Sequence, residues 1–193
     1  MQPHEIIEYK GYKIEIYHHE DAESPLTHFG NLGTMYTRHH RYNIGENFDE
    51  HLYEEEVFDG EFGVFKKSFL RQYIALPLYL YDHSGQTINT TGFSCPWDTS
   101  RIGIIAVSLD DVRKEYGWKN ITKKRREQIE TYLRAQVKLY DDYVRGSVYG
   151  FRLIDPDGEE HDSCWGYYGD ESIKDIEAEC KATVNGILIT KNH

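Results

Sequence analysis

No stretch of this 193-residue sequence holds the run of about 18 apolar residues that a membrane-spanning helix needs. The first ten residues contain acids and no apolar core, so no secretory signal is expected. Only three cysteines occur, Cys95, Cys164 and Cys180, an odd number and widely spaced. They predict reduced thiols and a cytoplasmic protein, not a disulfide framework. Cys-x-x-Cys pairs and a His-Glu-x-x-His helix are absent, which removes the specific zinc signatures. A nucleophile elbow, a phosphate loop and a dinucleotide fingerprint are also missing. There is no internal repeat and no low-complexity stretch. No metal and no cofactor is expected.

What is plentiful is acid. The formal net charge is −11, and it is sorted along the chain. Residues 1–64 hold fourteen acids and four bases; residues 65–150 hold nine acids and fourteen bases; residues 151–193 hold ten acids and four bases. Asp49, Glu50, Glu54, Glu55, Glu56, Asp59 and Glu61 put seven carboxylates into thirteen residues without a Lys or Arg. Such a field steers a basic partner inward and repels nucleic acid. The stretch could imitate the spaced charges of a nucleic-acid backbone. It could gather Ca²⁺ or Mg²⁺, although the loop spacing of a dedicated calcium site is lacking. Or it could be a solvated face.

The opposite charge clusters in Arg113, Lys114, Lys119, Lys123, Lys124, Arg125 and Arg126, seven cations in fourteen residues. The last four fall in the first turn of an expected helix, where the positive end of the dipole disfavours them by about 0.3–1 kcal/mol each. A local rule broken in this way often marks a function. One reading is contact with a phosphate, such as that of RNA. The other is pairing with the protein's own acidic segments.

The apolar share of 39% and charged share of 28% describe a globular chain of one domain, residues 1–193. The acidic segment at about 18–64 is a possible embellishment. Sixteen Tyr suit half-buried strands and binding surfaces. Ile6–Lys10 and Tyr12–Tyr17 flank Gly11 as a hairpin, and residues 18–42 read as loop. Residues 49–58 could form an acidic helix with a thin apolar face. Ile74–Asp82, Thr87–Phe93 and Arg101–Val107 read as strands, with Pro77 favouring an edge or a bulge. Ser108 to Asp111 matches a capping box for a helix closed by Gly117, and Thr122 caps a long helix over 123–144. Val148–Ile154 and His161–Tyr168 flank the turn Asp155-Pro156-Asp157-Gly158. A third helix over 173–181 and a last strand over 184–190 complete the reading. The expected class is α+β, a mainly antiparallel sheet with about three helices, the longest near 123–144.

Two constellations invite chemistry. His18-His19 and His39-His40 are metal-ligand types, but adjacent residues on a strand face opposite ways, so neither pair should chelate alone. Asp82 and His83 at a turn, with Cys95 and Asp98 across the expected hairpin, could furnish a thiolate with its base. The same residues are ordinary in turns, and Cys-Pro-Trp serves equally as a packing knot.

Several blocks act together: Asn31 to Met35, His39 to Gly45, Ile74 to Gly85, Phe93 to Asp98, Lys114 to Trp118 and Asp162 to Gly169. With them the chain, over roughly residues 24–169, resembles a family of small acidic proteins encoded by phages and other mobile elements of gut bacteria. The resemblance carries context and no catalytic residue. It implies counter-defence, of the anti-CRISPR or antirestriction kind, in the bacterial host cytoplasm. The expectation is a binding protein and not an enzyme: an acidic inhibitor of a host defence nuclease, a CRISPR effector or its guide-RNA complex, with direct nucleic-acid contact possible through the basic patch. The alternatives are an enzyme acting on a nucleic acid or nucleotide through Asp82, His83, Cys95 and Asp98, and a nucleic-acid-binding regulator using the patch at 113–126.

Overall fold

A computed structural model describes residues 2–48, 52–60, 63–82, 85–94 and 99–191. Along the chain run β1 (Glu5–Tyr9), β2 (Tyr12–His18), α1 (Pro25–His28), β3 (Thr34–Thr37), β4 (Glu46–Asn47), α2 (Glu54–Val57), β5 (Phe58–Asp59) and β6 (Val64–Phe65). There follow α3 (Lys67–Leu70), β7 (Tyr73–Asp82), β8 (Gln86–Asn89), β9 (Thr99–Ser108), α4 (Leu109–Tyr116), α5 (Lys123–Val144), β10 (Val148–Ile154), β11 (Glu160–Tyr168) and α6 (Ser172–Lys191). The class is α+β, and antiparallel pairing dominates. Where about three helices were expected, the described residues form six, of which three exceed four residues. The chain divides into two compact units, residues 1–24 with 142–193, and residues 25–141. The acidic segment 18–64 is thus shared between them.

The first unit is a four-stranded antiparallel sheet in the order β1-β2-β10-β11. The β1–β2 hairpin turns at Lys10 and Gly11, with φ of 51° and 85°. Two positive φ values in a row give the turn whose twist matches that of its strands. The second hairpin turns where Asp155 Oδ1 accepts the amides of Asp157 and Glu159 at 2.9 and 3.0 Å. Alternation sends Tyr12, Ile14, Ile16, Phe151 and Leu153 to one face, where α6 covers them with Ile176, Cys180 and Val184.

α6 corrects the expected strand at 184–190. Ile176, Cys180 and Val184 recur every fourth residue and are buried, so one helical stripe continues through the β-branched run. Thr183 and Thr190 hydroxyls donate to the carbonyls of Glu179 and Gly186, each four residues back. These bonds give β-branched residues a place inside the helix.

The second unit is a five-stranded sheet, order β4-β3-β9-β7-β8, with β3 and β4 parallel. β3 lies within the stretch read as loop; its four residues are too few to display a period. β7 buries Ile74, Leu76, Leu78 and Leu80 in strict alternation. Pro77 sits where β7 pairs with β9 alone, next to the irregularity at Leu78/Tyr79, as its missing donor requires. Ser108 Oγ accepts the amide of Asp111 at 3.0 Å, and Gly117 at φ 64° closes α4. α5 spans the expected residues and buries Ile129, Leu133, Val137 and Tyr140. The expected acidic helix shrinks to α2, its residues 49–51 lying outside the described residues. Of its thin apolar face, Tyr53 is exposed while Leu52, Val57 and Phe58 are core, packed with Phe48, Phe69 and with Ile104 and Ala106 of β9.

Candidate functional site

The acidic stretch is anchored by that aromatic core. Val57 and Phe58 point inward, while Glu55, Glu56 and Asp59 are left exposed. Glu54 is half-buried and paired with Arg38 at 2.8 Å. Lys66 Nζ donates to the Glu55 carbonyl. Asp49, Glu50 and Glu61 lie outside the described residues.

The basic cluster resolves into two groups. Arg113 pairs with Asp110 at 2.6 Å. Arg125 lies over the Trp118 ring at 4.6 Å and donates to the Asn120 carbonyl at 2.6 Å. Arg126 donates to the carbonyls of Tyr73 and Leu70 at 3.0 and 3.3 Å. Lys123 approaches Glu127 at 3.9 Å. Lys114, Lys119 and Lys124 are exposed. The arginines therefore serve the fold mostly through carbonyls and an aromatic ring, and none of the described residues of the acidic stretch is their partner. Lys114 also lines an open cavity of about 480 Å³ with Asp111, Glu115, Tyr116, Tyr132 and Asn31.

Of the expected thiol site, His83, Cys95 and Asp98 lie outside the described residues. Asp82 does gather partners that sequence spacing could not reveal. The Tyr42 hydroxyl donates to its two carboxylate oxygens at 3.2 and 3.1 Å, and Arg41 approaches at 3.5 Å. His39 stacks on Tyr42 with centroids 5.0 Å apart, and Arg41 Nε donates to His40 Nε2 at 3.1 Å. Burial, then the charges of His40 and Arg41, lower the pKa of His39. The loop is fastened by Thr37 Oγ1, which donates to the Ile44 carbonyl at 2.5 Å. On a strand, His39 and His40 would face opposite ways. They lie in a loop, not a strand, and their rings are 4.7 Å apart. His18 and His19 do diverge: His18 packs on Tyr149 and His19 on Trp165. Among the described residues no three His, Cys, Asp or Glu side chains come together as a metal site.

The first unit presents features the sequence reading did not single out. On the sheet face away from α6, Trp165 lies against Gly150. A Cβ at position 150 would fall 2.2 Å from the indole Cε3. Tyr17 and His19 flank the indole, their centroids 6.1 and 5.3 Å away. Arg152 and Glu160 pair across the hairpin at 2.6 Å. On the α6 face, the Tyr149 hydroxyl donates to Asp170 at 2.8 Å; burial and that bond push its pKa up to about 12. The nearest sequence signal was the block Asp162 to Gly169, rich in aromatics and glycine.

No protein-family model, no curated protein and no solved structure matches the chain.

Proposed function

We propose that this chain is a binding protein that inhibits a nucleic-acid-targeting defence nuclease, an anti-CRISPR carried by a mobile element and acting in the bacterial host cytoplasm. Its acidic surface would occupy the cationic channel that holds heteroduplex or guide RNA, a channel that reads shape and backbone charge and so is open to imitation. The observation that carries the reading is the location of the charge. The unit of residues 1–24 and 142–193 has seventeen acids and seven bases, a net −10, on one small sheet and one helix. Glu55, Glu56 and Asp59 of the other unit add exposed carboxylates. Contact with guide RNA would fall to Lys114, Lys119 and Lys124, since Arg125 and Arg126 are engaged within the fold.

A second reading, an enzyme acting on a nucleotide or nucleic acid, is favoured by the gathering of His39, Arg41 and Tyr42 around Asp82. Titration of a guide-loaded CRISPR effector in a DNA-cleavage assay separates the two. Inhibition should be stoichiometric, reaching completion near one equivalent, and should weaken as salt screens the charges. Turnover of target, guide or nucleotide at substoichiometric protein, lost in Asp82→Asn, would favour the enzyme. Unaltered cleavage at saturating protein would remove the anti-CRISPR reading.

A further inference from the structure

Within the described residues, β11 pairs with β10 on one side only and ends the sheet. It is nine residues long, and Glu160 to Gly166 are all exposed. The other sheet ends are shorter: β1 has five residues, β8 four and β4 two. Proteins usually blunt a strand edge by keeping it short or by covering it, because its unpaired amides and carbonyls will accept another strand. β11 is neither short nor covered by another described strand.

One donor on its outer side is held by a local side chain, which an incoming strand would displace. The Ser163 amide donates to the side chain of its neighbour Asp162 at 2.9 Å, and not to β10. That N–H therefore belongs to the set that alternates outward in an antiparallel strand. Beside it stands Trp165, 40% exposed and lying in the space over Gly150. The exposed indole leans inward over Gly150 of β10, where a long cationic side chain from a strand added at the edge can reach back across β11 to its face. β11 carries no Lys or Arg; its Glu160 is paired with Arg152 of β10 and its Asp162 is not, and the unit as a whole has a net charge of −10. A second copy of this chain or a nucleic-acid strand would meet repulsion there; a basic segment would be drawn in.

We infer that the outer edge of β11 is the docking site for an extended basic segment of the partner protein, which joins the sheet as a further strand and lays an Arg or Lys over Trp165. This rests on the reading of the chain as a binder of basic partners, and names the surface that does the binding. Backbone pairing supplies affinity, and alternate side chains supply selectivity.

The test uses the full chain and an end-capped peptide of alternating arginine and valine as probe. The peptide should bind one to one, weaken with salt, and protect the Ser163 amide from hydrogen exchange. Ser163→Pro removes an outward donor without deleting a bond to β10. Trp165→Ala removes the indole and leaves the backbone intact, so it decides the matter if the proline variant misfolds. Each should weaken the peptide by about five- to tenfold. Wild-type affinity in Trp165→Ala, or equal binding of a glutamate–valine peptide, would overturn the assignment. So would a loss of binding confined to changes at Glu55, Glu56 and Asp59. A dimer of this chain that Ser163→Pro dissolves would overturn it too, because the occupant would then be a second copy. The two proposals fail separately. Probe binding at β11 without nuclease inhibition sinks the anti-CRISPR reading alone. Nuclease inhibition unchanged in both β11 variants sinks the docking site alone.

Discussion

In the unit of residues 1–24 and 142–193 acids outnumber bases seventeen to seven; in the unit of residues 25–141 they stand at sixteen to fifteen. Read in sequence order, the same charges gave an acidic start, a basic middle and an acidic end. The fold regroups them. The stretch around 49–61 shares its unit with the basic cluster, and that unit is almost neutral. Several of its charges are tied down. Arg38 holds Glu54, Arg41 approaches Asp82, and Arg126 holds two carbonyls. The first unit has a strong uncompensated field and a long exposed strand edge. The difference teaches that the density of like charge along a chain is a poor guide to where the field lies. What matters is which charges the topology leaves together.

The same substitution in the two sheets gives the sharpest contrast and the largest expected effect. Gly103 lies in β9 between β3 and β7, and a Cβ there would meet the Tyr36 carbonyl oxygen at 2.0 Å and the Thr37 Cα at 2.9 Å. Backbone cannot step aside cheaply, so Gly103→Ala should cost about 3 kcal/mol. In Gly150→Ala the main obstacle is the Trp165 ring, whose exposed indole can lift away, leaving the Cys164 carbonyl oxygen at 2.9 Å as the one close backbone contact. It should cost about 1 kcal/mol and shift tryptophan emission, read with Trp97 and Trp118 replaced by Phe. Denaturant melts giving equal losses would show that Trp165 is clamped as firmly as the inner strands.

Much of this was legible where the determinants are local. The Lys10-Gly11 turn, the Asp155–Gly158 turn, the Ser108 cap with Gly117, and the stripe of α5 each fit within a few residues. β3 and the second half of α6 were not legible. β3 is a strand because β9 lies beside it, and Val184 is helical because it falls in line with Ile176 and Cys180 above a sheet. The aromatic core beneath the acidic stretch was hidden for the same reason, since Phe48 and Phe69 meet only through tertiary packing. The Asp82 cluster joins residues forty apart, and no spacing rule connects Tyr42 to it. Nor can a strand's edge position be read before the sheet order is known.

Alkaline pH should divide the units further. Burial, then the bond to Asp170, takes Tyr149 up to about 12, and burial takes the Cys180 thiol up to about 12. Burial, then the bond to Glu179, raises Tyr167 as well. All three groups belong to the first unit. Their native forms keep a proton that the unfolded chain releases at an ordinary pKa, about 10 for Tyr and 8.5 for Cys. Above those values the unfolded state binds fewer protons, so stability falls as pH rises toward about 12. Below them the contribution is complete. Denaturant midpoints measured across this range should decline in the wild type, and more gently in Tyr149→Phe and Tyr167→Phe. An identical decline in the double variant would assign the alkaline loss elsewhere, for instance to Tyr36 or Tyr116, which are also raised in the second unit.

The smallest expected effect concerns the start of α5, and it reverses what helix electrostatics alone predict. By the dipole argument, changing Lys123, Lys124, Arg125 and Arg126 to Gln should leave the protein equally or slightly more stable. The contacts say otherwise. Arg126 ties the first turn of α5 to the last carbonyl of α3 and the first residue of β7 through bonds of 3.3 and 3.0 Å. Arg125 covers Trp118 and holds the Asn120 carbonyl. Charged hydrogen bonds of this kind contribute about 1.5 kcal/mol where they are shielded, less where the group is wet. Arg126→Gln should therefore cost about 1 kcal/mol. Lys124→Gln, at an exposed position, should change stability by less than about 0.5 kcal/mol, with a slight gain from the dipole. If these arginines were paired with the acidic stretch, the loss in Arg126→Gln would vanish in high salt. If they hold carbonyls and an indole, most of it should survive, because those contacts depend little on screening. Melts of Arg126→Gln at low and high salt, beside Lys124→Gln, decide between the two.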